Sequence, residues 1–168
     1  MKNTKLITML CLGALIACSP SKKGLEPTSE QVSPRERLIE NLRATPQKGI
    51  MFGHHDDTVY GIGWEFDEGG SDVQKVCGDY PAVISFDLGE IELGGDKSLD
   101  KVPFEKIRKE IINQYNRGGL VSLSWHPRNP KTGGDAWDVS DHAVVKSILP
   151  EGENYEKFQS WLGKVNDF

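Results

Sequence analysis

The chain has 168 residues, with 25 acidic against 20 basic side chains, a formal net charge of −5 and no basic block. That balance excludes a dedicated nucleic-acid binder, whose footprint is a clustered positive face. At 37% hydrophobic and 27% charged the chain is slightly polar for a globular protein, but the polarity is concentrated near the start, so a packed core is expected in the remainder.

Residues 1–18 read as a targeting segment. Lys2 and Lys5 supply a positive n-region, residues 6–17 an apolar run too short to span a bilayer permanently, and Leu15-Ile16-Ala17-Cys18 resembles a bacterial lipobox. The resemblance implies lipid attachment at Cys18 and a protein anchored in the bacterial cell envelope. Ser19, rather than aspartate, follows the cysteine, which favours the outer membrane. Cys11 would leave with the signal and Cys18 would carry lipid, so Cys77 would have no partner for a disulfide and the fold must rest on its core.

Residues 19–33 are polar, contain Pro20 and Pro27, and read as a tether. Ser33-Pro34-Arg35-Glu36 then predicts a helix start, with Leu38, Ile39 and Leu42 as its apolar stripe and a stop before Pro46. The apolar run at 49–53 predicts a first strand, whose tip is His54-His55-Asp56-Asp57. A short helix is expected at 72–77, and a second strand at 82–86 leads into Asp87-Leu88-Gly89-Glu90. Phe104, Ile107, Ile111, Ile112 and Tyr115 recur at helical spacing over 103–116, and Gly118-Gly119 ends that helix.

Residues 120–124 predict a third strand that delivers Trp125 and His126 into a loop broken by Pro127, Pro130, Gly133 and Gly134 and carrying Arg128, Asn129, Trp137 and Asp138. Two tryptophans beside a histidine at a strand end fit a flat, apolar ligand face such as that of a sugar ring, although either alone is as readily a packing residue. His142, beside Asp141, reads as a helix-start residue. Tyr155, Phe158, Trp161, Leu162, Val165 and Phe168 form a final amphipathic stripe.

Strands alternate with helices, so they should be parallel, with their polar tips on one face at the C-terminal ends. A (β/α)8 TIM barrel takes about 250 residues, and only three βα units are legible here. The sequence is therefore expected to be the truncated N-terminal part of such a barrel.

Three pieces in order, each at a predicted strand end, resemble glycoside hydrolase family 26, and most closely its bacterial endo-β-1,4-mannanases. They are Phe52-Gly53-His54-His55-Asp56-Asp57-Thr58 with Tyr60, Gly61 and Trp64; Gly78-Asp79-Tyr80-Pro81-Ala82-Val83 with Asp87-Leu88-Gly89; and Ser124-Trp125-His126 with Asn129-Pro130 and Thr132-Gly133-Gly134. The resemblance divides the chain into a lipoprotein signal peptide (1–18), a tether (19–33) and the N-terminal part of a catalytic barrel (34–168). It implies retaining hydrolysis of β-1,4-mannosidic bonds in mannan polysaccharides or manno-oligosaccharides, with no cofactor, by a glutamate acid/base and a glutamate nucleophile from the fourth and seventh strands. Both glutamates are expected beyond Phe168, so the chain as given is expected to be inactive.

The resemblance also implies substrate-binding roles. His126 would lie beside the glycone subsite, where it can donate a hydrogen bond to a hydroxyl or a catalytic carboxylate; Trp137 would be an aromatic platform; His55 and Asp56, with His54, would shape the pocket floor. Asp87, Glu90 and Glu92, at the second strand tip, read as positioning substrate or supporting the residues that do, with plain solvation the other reading of Glu92. Two other readings stay open. The His54/His55/Asp56 cluster, joined by His126, could serve a metal-dependent TIM-barrel hydrolase, although adjacent histidines on a strand point to opposite faces. The chain could also be a carbohydrate-binding lipoprotein without catalysis.

Overall fold

The computed structural model describes residues 32–168. Cys18, the signal segment and nearly all of the tether lie outside them. The described residues divide between Asn41 and Leu42 into two units.

Helix α1 (Pro34–Ala44) opens on a reciprocal capping box. The Ser33 N–H donates to Glu36 Oε2 at 2.9 Å, and the Glu36 N–H donates to Ser33 Oγ at 3.2 Å, so two otherwise orphaned donors satisfy each other's residues. No residue of α1 is buried, its expected apolar stripe included. The helix stops at Ala44, before Pro46 as expected, and a separate 3-10 turn, Thr45–Gln47, follows it. A proline is tolerated there because the first helical positions have no intrahelical acceptor for the missing N–H.

The first strand is shifted from its predicted place. Strand β1 is Gly53–His55, not the apolar run before it: Ile50 is 99% exposed and Phe52 60%. Pairing decides the position, because the parallel register with the next strand of the sheet starts at Gly53 opposite Val83. Ile50 and Phe52 are left largely exposed and Met51 half-buried, so hydrophobicity marks the lead-in and not the strand.

A two-stranded hairpin absent from the sequence reading follows, β2 (Tyr60–Gly61) with β3 (Trp64–Glu65). Trp64 lies across Gly61 and Gly70, where any Cβ would come within 2.3 Å of the indole. Its Nε1 donates to Asp72 Oδ1 at 2.7 Å, while Asp72 Oδ2 accepts from the Ile62 N–H at 2.7 Å. Helix α2 (Asp72–Cys77) is capped by Ser71 and ends on Gly78 in the left-handed region.

Strand β4 (Val83–Asp87) occupies the middle of a three-stranded parallel sheet, between β1 and β5 (Leu120–Ser124). The crossover from β4 to β5 is α3 (Phe104–Asn116). Alternation sends Ile84 and Phe86 into one core with Phe104 and Ile107 of α3, together with Val59, Leu88, Ile91 and Val102. Val83, Ser85 and Asp87 consequently project from the opposite face. The Gln114 amide pins the end of α3 to the start of β4 by donating to the Pro81 carbonyl at 3.0 Å. Two helices complete the described chain: α4 (Val144–Ile148), two residues after His142, and α5 (Tyr155–Asp167), which buries Trp161.

Ile107 is fully enclosed, whereas Ile112 on the same helix is 59% exposed. Ile107→Ala should cost about 3 kcal/mol through lost transfer energy and a residual cavity. Ile112→Ala should cost about 0.5 kcal/mol or less. Urea unfolding of the two variants followed by circular dichroism checks the contrast.

Candidate functional site

Parallel pairing brings the ends of β4 and β5 side by side, with Asp87 opposite Ser124. Asp87 is almost wholly buried, and its carboxylate is the hub of the site. Oδ2 accepts from Ser124 Oγ at 2.5 Å and from His126 Nδ1 at 2.5 Å, while Oδ1 accepts from the Gly89 N–H at 2.6 Å. Burial opposes its ionisation, but the hydrogen bonds from Ser124, Gly89 and His126 outweigh that and hold the carboxyl below the usual aspartate range. Gly89 also permits the close approach: a Cβ there would stand 2.1 Å from Leu99 and 2.8 Å from Asp87 Oδ1.

An ionised Asp87 fixes the imidazole. With Nδ1–H donating to the carboxylate, Nε2 of neutral His126 is an acceptor, and it becomes a donor only when the ring is protonated. The ring is half exposed and lies near-parallel to Trp137, 6.5 Å between centroids and 21° between planes. Trp137 is 82% exposed, so its broad face is open to a ligand. His126 and Trp137 share a cleft of 390 Å³ with Glu90, Leu99, Arg128 and Asp135. Glu90, in the left-handed region at φ 72°, forms an ion pair with the Arg128 guanidinium on the rim of this cleft.

The two tryptophans have different roles. Trp125 stacks on Phe158 at 5.8 Å and packs against the core. Its Nε1 donates to Glu92 Oε2 at 2.9 Å, and Glu92 Oε1 accepts from the Arg128 N–H at 2.7 Å. Glu92 is therefore not a solvated surface residue: it is 2% exposed and staples the loop after β5 to the loop after β4. Its place at the second strand tip pointed to a supporting role, but not to which groups it holds, because those partners lie more than thirty residues away.

Asn129, 5% exposed, organises the rest of the loop. Its side-chain oxygen accepts from the Lys131 and Thr132 N–H groups, and its Nδ2 donates to the Asp138 carbonyl at 3.0 Å. These bonds close the turn that presents Trp137. Asparagine followed by proline inside a Gly-rich loop was the available signal.

The tip of β1 forms a second group, on the other side of β4. His55 Nδ1 hydrogen-bonds Ser85 Oγ at 2.7 Å, and His54 Nδ1 meets the His55 carbonyl at 2.8 Å. Asp57 is buried and accepts from Ser71 Oγ and from the Val73 N–H, so it supports the start of α2. Asp56, 1% exposed and at φ 55°, has its carboxyl pushed up by burial, against the lowering effect of His55. Burial and the neighbouring Asp56 push the Tyr60 hydroxyl up to about 12. His126 stands apart from this group, held on Asp87.

Parallel strands linked through helices, with carboxylates and histidines gathered at the strands' C-terminal ends, define an α/β protein with its polar groups on that face, an arrangement that TIM barrels share. Residues 27–168 match the profile of Glycosyl hydrolase family 26. The chain belongs to that family. Among solved structures it is similar to a GH26 β-mannanase from Bacteroides ovatus, with 62% identity and a TM-score of 0.76 over 77% of this chain and 38% of that one. A modular endo-β-1,4-mannanase from Cellulomonas fimi is 28% identical, with a TM-score of 0.56 over 71% of this chain and 28% of that one. Among curated proteins, a mannan endo-1,4-beta-mannosidase from Bifidobacterium adolescentis is 30% identical over 76% of this chain. The chain spans 13% of that relative's length. The three-stranded parallel sheet is thus a section of a (β/α)8 barrel.

Because the folded-state pKa of Asp87 is depressed, its contribution to stability is complete above the unfolded value, about 3.9. It is lost as pH falls through the lower folded value. Asp87→Asn should remove that part of the acid-side slope, so that the stability difference between the variant and the unaltered chain narrows as pH falls through and below the usual aspartate range. Urea midpoints measured from pH 2 to 7 check this.

Proposed function

We propose that these residues form the first three strands of a retaining β-mannanase, and that His126 and Trp137 bind mannan beside its reaction centre. The observation that carries the reading is the Asp87-held His126 ring lying against the exposed face of Trp137 in one cleft at a barrel strand end. The family membership and the mannanase activity named for its relatives support it.

In this reading Trp137 receives the apolar face of a mannose ring, and His126 Nε2 accepts a hydrogen bond from a sugar hydroxyl. Asp87 keeps the imidazole in one tautomer and one orientation, so little ordering remains when substrate arrives. The glutamate acid/base and the glutamate nucleophile come from the fourth and seventh strands of the barrel, past the three strands described here. No carboxylate of the described residues is assigned either role.

The reading is tested on the product of the whole reading frame, extended past the codon for Phe168. That protein should cleave β-1,4-mannan with retention of anomeric configuration. Trp137→Ala should raise KM by about tenfold with little change in kcat, the pattern for lost uniform binding. His126→Ala should lower kcat/KM by about 100-fold. Absence of mannan cleavage by the extended protein, or unchanged kinetics in both variants, would sink the assignment.

The envelope location is a further part of the proposal, supported by the lysines, the apolar run and Leu15-Ile16-Ala17-Cys18 at the start of the sequence. Metabolic labelling with a radioactive fatty acid should mark the protein in the membrane fraction, and Cys18→Ala should abolish the label. Label retained in Cys18→Ala would refute lipidation at this residue.

A further inference from the structure

We propose that His55, Asp56 and Asp100 bind one zinc ion, which ties the tip of β1 to the turn that precedes α3. One donor atom from each residue lies within 4.8 Å of the other two. His55 Nε2 and Asp56 Oδ2 are 3.4 Å apart, close to the edge of about 3.3 Å that a tetrahedral zinc site with bonds near 2.0–2.1 Å requires. The Asp100 carboxylate is exposed and sits on a turn held by the Ser98 N–H to the Val102 carbonyl at 2.8 Å, so its side chain can close the remaining distance without moving the core.

Asp56 supplies the independent observation. It is 1% exposed, and neither of its buried carboxylate oxygens receives a well-formed hydrogen bond, its polar neighbours being His55 Nε2 at 3.4 Å and the Tyr60 hydroxyl. An ionised carboxylate in that setting is strongly disfavoured unless a cation compensates it.

The histidine is already set up as a ligand. Its Nδ1 is engaged by Ser85 Oγ at 2.7 Å, which orients the ring and leaves Nε2 towards Asp56. Imidazole with carboxylates favours zinc over calcium or magnesium, which take oxygen ligands. Asp100 also lines a small surface cavity with Tyr60, Glu65, Lys97 and Lys101. Lys101, on that cavity wall, is turned towards Glu90 at 3.9 Å, so its charge is partly offset. The role assigned to the ion is structural: it would fix the segment carrying Asp56 and Tyr60 beside the barrel mouth, whether or not the mannanase reading holds.

The test uses the full chain with Cys11, Cys18 and Cys77 replaced by serine, so that thiols cannot take up zinc. Equilibrium dialysis with elemental analysis should find about one zinc per chain, and the thermal midpoint should rise with added zinc. Asp100→Asn removes an exposed side chain and should keep the far-ultraviolet circular dichroism spectrum, yet weaken zinc binding by at least about tenfold and abolish the thermal shift. Asp56→Asn should do the same, while Asp79→Asn, on an exposed aspartate elsewhere, should leave binding unchanged. Substoichiometric uptake by the parent chain, undiminished uptake in Asp100→Asn and Asp56→Asn, equal loss in Asp79→Asn, or preferential uptake of calcium would each overturn the proposal.

Discussion

A single buried carboxylate sets the geometry on which the site depends. Asp87 ends the central strand of the parallel sheet and receives hydrogen bonds from the neighbouring strand, from its own following turn and from the His126 ring. A buried charge is tolerable only when so surrounded. The arrangement therefore works in both directions: the donors keep Asp87 ionised, and the ionised Asp87 dictates where each donor must stand.

The loops inherit this order at one remove. Glu92 uses both oxygens to join the segment after β4 to the segment after β5, and Asn129 closes the turn that carries Trp137. Neither residue faces the cleft that His126 and Trp137 line. Their effect is positional: a ligand-binding ring on a Gly/Pro loop is only as well placed as the hydrogen bonds that fix the loop. The β2–β3 hairpin and Asp57 support the β1 tip in a comparable way, through Trp64, Asp72 and Ser71.

The two faces of the sheet divide the labour. Ile84 and Phe86 join the apolar core with α3, and the intervening Ser85 and Asp87 turn towards the polar groups of β1 and β5. Parallel strands in a barrel are covered on both sides, by helices outside and by side chains inside. Small hydroxyl residues at Ser85 and Ser124 leave room on the inner side for the larger His55 and His126, whose Nδ1 atoms they or their neighbours hold.

Read alone, the sequence determined the alternation of strand and helix, the spans of α2, α3 and β5 within a residue, and the gathering of His126, Asp87 and the β1 histidines at strand ends. Those features rest on local periodicity, capping and turn chemistry, which act over a few residues and so leave a legible pattern. The three ordered motifs also carried the family, later matched over residues 27–168. Tertiary structure decided the rest. It moved β1 from its apolar lead-in onto Gly53–His55, because strand position follows pairing with β4. It separated Trp125, half-buried against the core, from the exposed Trp137, and decided between the two readings of Glu92 in favour of a buried anchor. Those outcomes depend on partners thirty or more residues distant, and no local pattern encodes whether such a partner arrives.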